Sequence, residues 1–223
     1  MMSKISRGQK GEDLVIKELG KIKQYSHLLN NVTIINNKSD MTHQIDHILI
    51  HPHGVFIIET KNYFGKIEVD NGGWYKTIKG NKKRISNPLL QNKSHQITLY
   101  KAVQGIFKAV SAVVFVKNNA PYLPNDNVIN LSVLLLFIES FPYEKEYSKV
   151  EIDNIAKIIK QISSDISLKE HLENIEIYKQ YRSEIREEMT YAIEQGKCPY
   201  CENKILTDGR NFLCSKCNFS FKL

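Results

Sequence analysis

No cysteine occurs before position 198, and no apolar run in the 223 residues is long enough to cross a bilayer. The first absence excludes a disulfide scaffold for most of the chain. The second excludes a spanning helix, since the longest greasy stretch, Val133 to Ile138, is a fraction of the roughly 20 residues required. The start, MMSKISRGQK, lacks the apolar core of a signal peptide, so a soluble, cytoplasmic protein with no membrane partner is expected. There is no glycine-rich phosphate loop of the kind that cradles ATP, which argues against an intrinsic motor. Internal repeats and low-complexity tracts are also missing.

What is present is 42% apolar and 25% charged residues, enough for one substantial core and a small appendage. The net charge of +7 is unevenly spread. Residues 1–140 hold 18 Lys/Arg against 10 Asp/Glu, 141–196 hold 8 against 12, and 197–223 hold 5 against 2. We therefore expect a main domain over 1–140, an acidic helical connector over 141–196 and a cysteine module over 197–223. Two basic modules suit a polyanion such as nucleic acid, because neutralised phosphates release counterions. A merely solvated basic surface explains the same numbers.

Periodicity sketches the main domain. Glu12, Val15, Ile16 and Leu19 share one face of a helix running from Gly8 to about Leu19. Strands follow at Val32–Ile35, Gln44–Ile50 and Val55–Lys61, the last two joined through His51-Pro52-His53-Gly54. In VFIIETK both faces are apolar, as in a central strand, and Glu59 and Lys61 project to the same face at its end. A second hairpin turns at Asn71-Gly72-Gly73, joining Lys66–Val69 to Trp74–Ile78, and Lys79–Arg84 reads as a basic loop. Ser86-Asn87-Pro88 caps a long helix toward Lys108, with Gln91, His95, Thr98 and Ala102 as a polar stripe. Strands at Ala112–Val116 and Val128–Leu136 and a helical region from Lys149 to Glu194 complete it. The expected fold class is α/β, a mixed central sheet flanked by helices, plus the helical connector and a small ribbon.

A helical Glu12, then Asp46 and Glu59-Thr60-Lys61 on adjacent strands, has a definite chemical use. Phosphodiester hydrolysis needs a divalent cation to offset developing charge and acidify a bound water, and hard cations take carboxylate oxygens. Asp46 and Glu59, helped by the Thr60 carbonyl, suit magnesium or manganese; Lys61 suits orienting water or stabilising phosphate charge. The competing reading is an exposed Glu59–Lys61 ion pair, with Asp46 capping a strand end and Glu12 in a solvated first helical turn. The residues alone leave both open.

Several stretches together resemble the nuclease-related (NERD) domain of the PD-(D/E)XK nuclease-like superfamily. They are Arg7-Gly8-Gln9-Lys10-Gly11-Glu12, Gln44–Ile50, Gly54–Asn62, Trp74, and Asn87-Pro88 with Gln91 and His95, in that family's order over roughly residues 5–120. The resemblance implies a restriction-endonuclease-like core in which Glu12, Asp46, Glu59 and Lys61 match the acidic and lysine positions and Gln91 the helical glutamine that shapes the site. It implies a magnesium-dependent nuclease, DNA being the favoured substrate over RNA. A non-catalytic nucleic-acid-binding or adaptor protein on the same scaffold is the alternative. Replication, repair or defence proteins and a second copy of the chain stand as further candidate partners.

Four of the seven histidines, His43, His47, His51 and His53, crowd into 11 residues. Most are expected in turns and on the surface; His95 alone is placed near the site. In the tail, Cys198-Pro199-Tyr200-Cys201 and Cys214-Ser215-Lys216-Cys217 are two Cys-x-x-Cys knuckles, whose spacing suits one tetrahedral zinc that supplies most of the module's stability. The module resembles a zinc ribbon and, more loosely, the four-cysteine fingers of bacterial type I topoisomerases. Its Lys204, Arg210, Lys216 and Lys222 alternate with Tyr200, Phe212, Phe219 and Phe221, a mixture suited to gripping backbone and stacking bases, unless the aromatics form the ribbon's own core. Nucleic-acid contacts are expected from Lys82, Lys83, Arg84 and His95 in the main domain and from Lys204, Arg210 and Lys216 in the ribbon.

Overall fold

The run Val55–Ile58 is apolar on both faces, and in the computed structural model of the chain both faces are covered. This strand, β3 (Gly54–Lys61), lies between β2 (Met41–His51), itself flanked by β1 (His27–Asn36), and β7 (Ala109–Phe115), flanked by β8 (Val128–Asn130). β1 and β2 run antiparallel to their neighbours, whereas β3, β7 and β8 pair in parallel, so the five-stranded sheet is mixed. Described are residues 4–36, 41–124, 126–143, 145–163, 170–171, 173–177, 179–180, 183, 191, 194–198, 201–207, 211–217 and 220–222. The chain divides into two compact units, Met1–Ile166 and Ser167–Leu223. Among the described residues no helix is long and apolar enough to cross a membrane.

Helices cover each face of the sheet, as the expected fold class requires. On one, Val55 and Ile57 meet Leu99 of α2 (Pro88–Ala102) and Ile152, Ile155 and Ile159 of α4 (Lys149–Ile162). On the other, Phe56 and Ile58 meet Val15 and Leu19 of α1 (Lys4–Leu19) and Leu134 and Ile138 of α3 (Leu134–Glu139). Each buried aliphatic side chain is worth about 1.5–3 kcal/mol. α4 thus falls in the stretch read as an acidic connector, yet its apolar stripe lies in the main core and its start is held by a Ser148–Glu151 capping box. The described residues between 170 and 194 are helical.

Two local expectations are corrected. The apolar run after Asn130 is not strand but a 3-10 turn followed by α3; a short apolar run cannot be assigned by periodicity, and here Leu134 and Ile138, four apart, are the buried pair. The basic stretch expected as a loop is largely a strand, β6 (Asn81–Ile85), completing a meander with β4 (Lys66–Asp70) and β5 (Gly73–Ile78). Two tight turns make it. Asn71-Gly72 and Lys79-Gly80 have φ of +47° and +73°, and +48° and +81°, the left-handed pairs a two-residue hairpin needs. Its charged residues suit an exposed edge strand. The meander packs Ile67 and Trp74 on Val113 and Phe115 at one end of the sheet.

In the second unit, β9 (Ile205–Thr207), β10 (Asn211–Cys214) and β11 (Ser220–Lys222) form an antiparallel sheet with β10 central.

Candidate active site

The end of β3 carries the site because β2 leaves it there. The β2–β3 ladder ends at His47↔Ile58, and the next amide, Thr60 N–H, donates instead to Asp46 Oδ2 at 2.8 Å. Ile45 and Ile48 lie in one core cluster though an odd number of residues apart, so the side-chain alternation of β2 slips by one between them, opposite Asn31 with φ +52°. Asp46 lies within the slip, bonded to the Glu59–Lys61 end of β3 through Thr60.

There the lysine is held twice. Lys61 Nζ donates to Glu59 Oε1 at 2.5 Å and to Gln91 Oε1 of α2 at 3.1 Å. The side chains of Lys61 and Glu59 are 13% and 3% exposed, so the pair is not the exposed surface bridge of the competing reading. A buried ion pair costs desolvation and is weak evidence of a stabilising purpose. His95 Nδ1 lies 3.6 Å from Glu59 Oε2, an oxygen buried with no hydrogen-bond partner among the described residues.

The three carboxylates repel one another. Burial pushes the Asp46 carboxyl well above its ordinary range, the Glu59 charge adds to this and Glu12 adds a little more, while the Thr60 N–H and Lys61 partly offset it. Burial also raises Glu12, followed by the charges of Asp13 and Glu59. For Lys61, burial acts downward but is outweighed by Glu59, Tyr63 and Asp46, so its ammonium is held charged. Glu12, Asp46, Glu59, Lys61, Gln91 and His95 are thereby drawn into one region. Among the described residues, however, the four cysteines are the one group of three or more metal-ligand atoms lying within 4.8 Å of one another. The carboxylates are more widely set.

The histidines correct an expectation. His43, His47 and His51 are buried, and only His53 is half-exposed, because the strand bearing them is covered on both sides. His47 bridges Asn30 Oδ1 at 2.8 Å and Thr60 Oγ1 at 3.1 Å, so it braces the stretch of β2 that presents Asp46, and burial pulls its pKa down to about 4. His43 packs edge-on against His95, ring centroids 5.7 Å apart.

Sequence reading missed two amides. Asn92 Nδ2 donates to Ile57 O at 3.1 Å and Ala112 O at 2.8 Å, pinning α2 to β3 and β7. Asn62 Nδ2 donates to Arg7 O at 2.8 Å, tying α1 to the end of β3, where Gly11 leaves no room for a side chain: a Cβ would lie 2.8 Å from that of Asn62. The available signal was the stripe Pro88, Asn92, His95, Leu99; of the polar stripe, His95 and Thr98 are buried with it and Gln91 is the exposed member.

Of the basic residues, Lys82 and Arg84 pair across the meander with Thr77 and Tyr75, and Lys83 with Lys76. Lys82 also lies 3.5 Å from Asp70 Oδ2 and over the Tyr75 ring.

In the second unit, Cys198 and Cys217 Sγ atoms are 3.5 Å apart, as are those of Cys201 and Cys214. Ligands about 2.3 Å from a tetrahedral zinc stand about 3.8 Å from one another, so the cluster fits such an ion. N–H groups of Cys217 and Lys216 pull the Cys214 thiol down to about 6, toward the thiolate a metal requires. Phe212 packs on the cluster, so this aromatic serves the ribbon's core. Lys204 and Lys216 are exposed; Arg210, Tyr200 and Phe219 lie outside the described residues.

The family model described as nuclease-related domain, NERD, matches residues 7–117. An uncharacterized protein of Bacillus anthracis is 36% identical over 112 residues, which are 49% of this chain and 52% of that protein. The chain thus spans about half the length of this curated relative. No solved structure matches.

Proposed function

Because the chain carries a nuclease-related domain of the NERD family over residues 7–117, we propose that it hydrolyses phosphodiester bonds of nucleic acid, DNA in preference to RNA, with a divalent cation at Glu12, Asp46 and Glu59. The observation that carries the reading is the Glu59–Lys61 pair, nearly buried at the end of β3, beside a second carboxylate that β2 presents.

The donor set fits magnesium or manganese. Glu59 Oε2 is buried with no hydrogen bond among the described residues, Asp46 has one oxygen engaged by Thr60, and the repulsion that adds to burial in raising Glu12 and Asp46 is what a cation relieves. When bound, that cation neutralises charge developing on the phosphate and acidifies water. Lys61, kept protonated, places a positive charge at the scissile phosphate and orients the attacking water. Gln91 keeps Lys61 from collapsing fully onto Glu59, and His47 and Thr60 fix Asp46. The ribbon cysteines hold a structural zinc, and the exposed Lys204 and Lys216 aid nucleic-acid binding.

The wider spacing of the carboxylates favours a second reading, a binding protein on the same scaffold that does not cleave. One experiment separates them. Single- and double-stranded DNA and RNA are incubated with the full chain plus magnesium, manganese or chelator. Cleavage that needs the cation and disappears in Asp46→Ala and Glu59→Ala supports the enzyme; cleavage unchanged in both variants sinks the site, and salt-dependent binding with no cleavage supports the second reading.

A further inference from the structure

Two depressions beside Lys61 share a wall. One, about 310 Å³, is lined by Arg7, Lys61, Asn62, Phe64 and Lys76 among others; the next, about 690 Å³, by Arg7, Lys10, Lys17, Asn62, Phe64 and Lys117 among others. Sharing Arg7, Asn62 and Phe64, they form one continuous groove leading outward from the lysine of the candidate active site. Its walls are α1, the segment after β3 and the face of β5 that bears Lys76.

Most of the cations along the groove are uncompensated. Among the described residues Arg7, Lys17, Lys76 and Lys117 form no ion pair, and the single carboxylate lining either depression, Asp13, accepts from Gln9. Phe64, 51% exposed, holds the Arg7 guanidinium 5.8 Å and the Lys117 ammonium 4.8 Å from its ring centre. A large exposed aromatic is here a support for two cations that come from different elements. Lys76 lies directly across from Lys83 in the β5–β6 ladder, and like charges at such a position destabilise a sheet. Strand alternation puts Lys83 on the same side as Lys76, so the fold carries an unfavourable pair along the rim of the groove. Uncompensated charge of this kind is what a polyanion neutralises.

The side-chain amide that lines the groove, Asn62, donates to the Arg7 carbonyl, and its oxygen is buried away from a strand in the groove. What remains are long, flexible cations suited to phosphate oxygens.

We propose that this groove carries the sugar-phosphate backbone of a nucleic-acid strand to the candidate active site, without regard to base sequence. The strand's destination rests on the nuclease reading; backbone binding does not. The test is fluorescence anisotropy with the full chain in chelator, so that nothing is cut, using labelled 20-nucleotide single strands of several sequences and the matching duplexes across a salt series. The Lys17→Glu/Lys117→Glu variant should bind at least tenfold more weakly on every sequence alike, with the slope of log affinity against log salt reduced by about 1.4–1.8, two phosphate contacts' worth. A charge-matched control on α4, Lys157→Glu/Lys160→Glu, should bind as wild type, and equal melting temperatures establish that each variant is folded. Affinity within twofold of wild type, a loss confined to one sequence, an equal loss in the control, or no binding by wild type would each overturn the proposal. Cleavage is measured separately with magnesium. Binding through the groove without cleavage would refute the nuclease reading and leave the groove standing; cleavage with unaltered binding by the variant would do the reverse.

Discussion

Replacing Asp46 by Asn should make the protein more stable while abolishing its proposed activity. Asp46 is held in place by the Thr60 N–H, a bond the Asn carbonyl oxygen can keep, yet its charge is disfavoured by burial and by Glu59. Removing the charge removes both penalties. It forfeits the weaker attraction to Lys61, which retains Glu59 and Gln91 as partners. Relief of functional-site strain of this sort is commonly worth about 0.5–2 kcal/mol. In a unit of this size each kcal/mol moves the melting temperature by about 2–4 °C. The pH dependence fixes the sign independently. The folded-state pKa of Asp46 lies above the ordinary value of 3.8, so the folded protein keeps a proton that the unfolded chain has released. Wild type is therefore most favoured below that value and loses stability as pH rises through the folded pKa, and Asp46→Asn should flatten this decline. Magnesium should in turn stabilise wild type more than the variant. Thermal melts by circular dichroism from pH 4 to 8, with and without magnesium, would test it. A lower melting temperature for the variant across that range, with wild type equally pH-dependent, would refute the electrostatic account.

Asn92→Leu should cost about 2–4 kcal/mol, since two buried carbonyls, of Ile57 and Ala112, lose their donor; urea denaturation with an unchanged m-value would establish this. Ile159→Ala should cost about 2–5 kcal/mol by opening the core under α4, and a chain ending at residue 140 should fail to give a cooperative melt. Gly65→Ala should be among the most damaging surface substitutions, because φ is +87° and the new Cβ would sit 2.1 Å from Thr77 O; a soluble variant with wild-type stability would contradict it. Purified protein should contain one zinc per chain by mass spectrometry, released on thiol modification and lost in Cys214→Ser.

The central sheet was legible because β3 is apolar on both faces over a short run bounded by a turn and by charges, the mark of a covered strand, and the cysteine cluster was legible from spacing alone. Less legible were features set by geometry at a distance. No periodicity announces that the alternation of β2 slips at Asp46, where Asn31 on the neighbouring strand is left-handed and the Thr60 amide is satisfied by a side chain. Asn92 was hidden because it neighbours the polar stripe through Gln91, His95 and Thr98, and only the packing of α2 shows which of these polar side chains are buried. The basic meander strand looked like a loop because an exposed edge needs no apolar alternation. The extent of the main unit was obscured for a similar reason: net charge over 141–196 is acidic, but α4 within it buries four residues on one side.

Crystals soaked in manganese, with the ion located by anomalous scattering, test most directly whether the carboxylates serve one cation. The account predicts a peak within about 2.0–2.3 Å of oxygens from both Asp46 and Glu59, with Glu12 reached directly or through water, and loss of that peak in Glu59→Gln. A saturating soak that leaves this position empty in wild type, or places manganese elsewhere in the unit while cleavage persists, would contradict it.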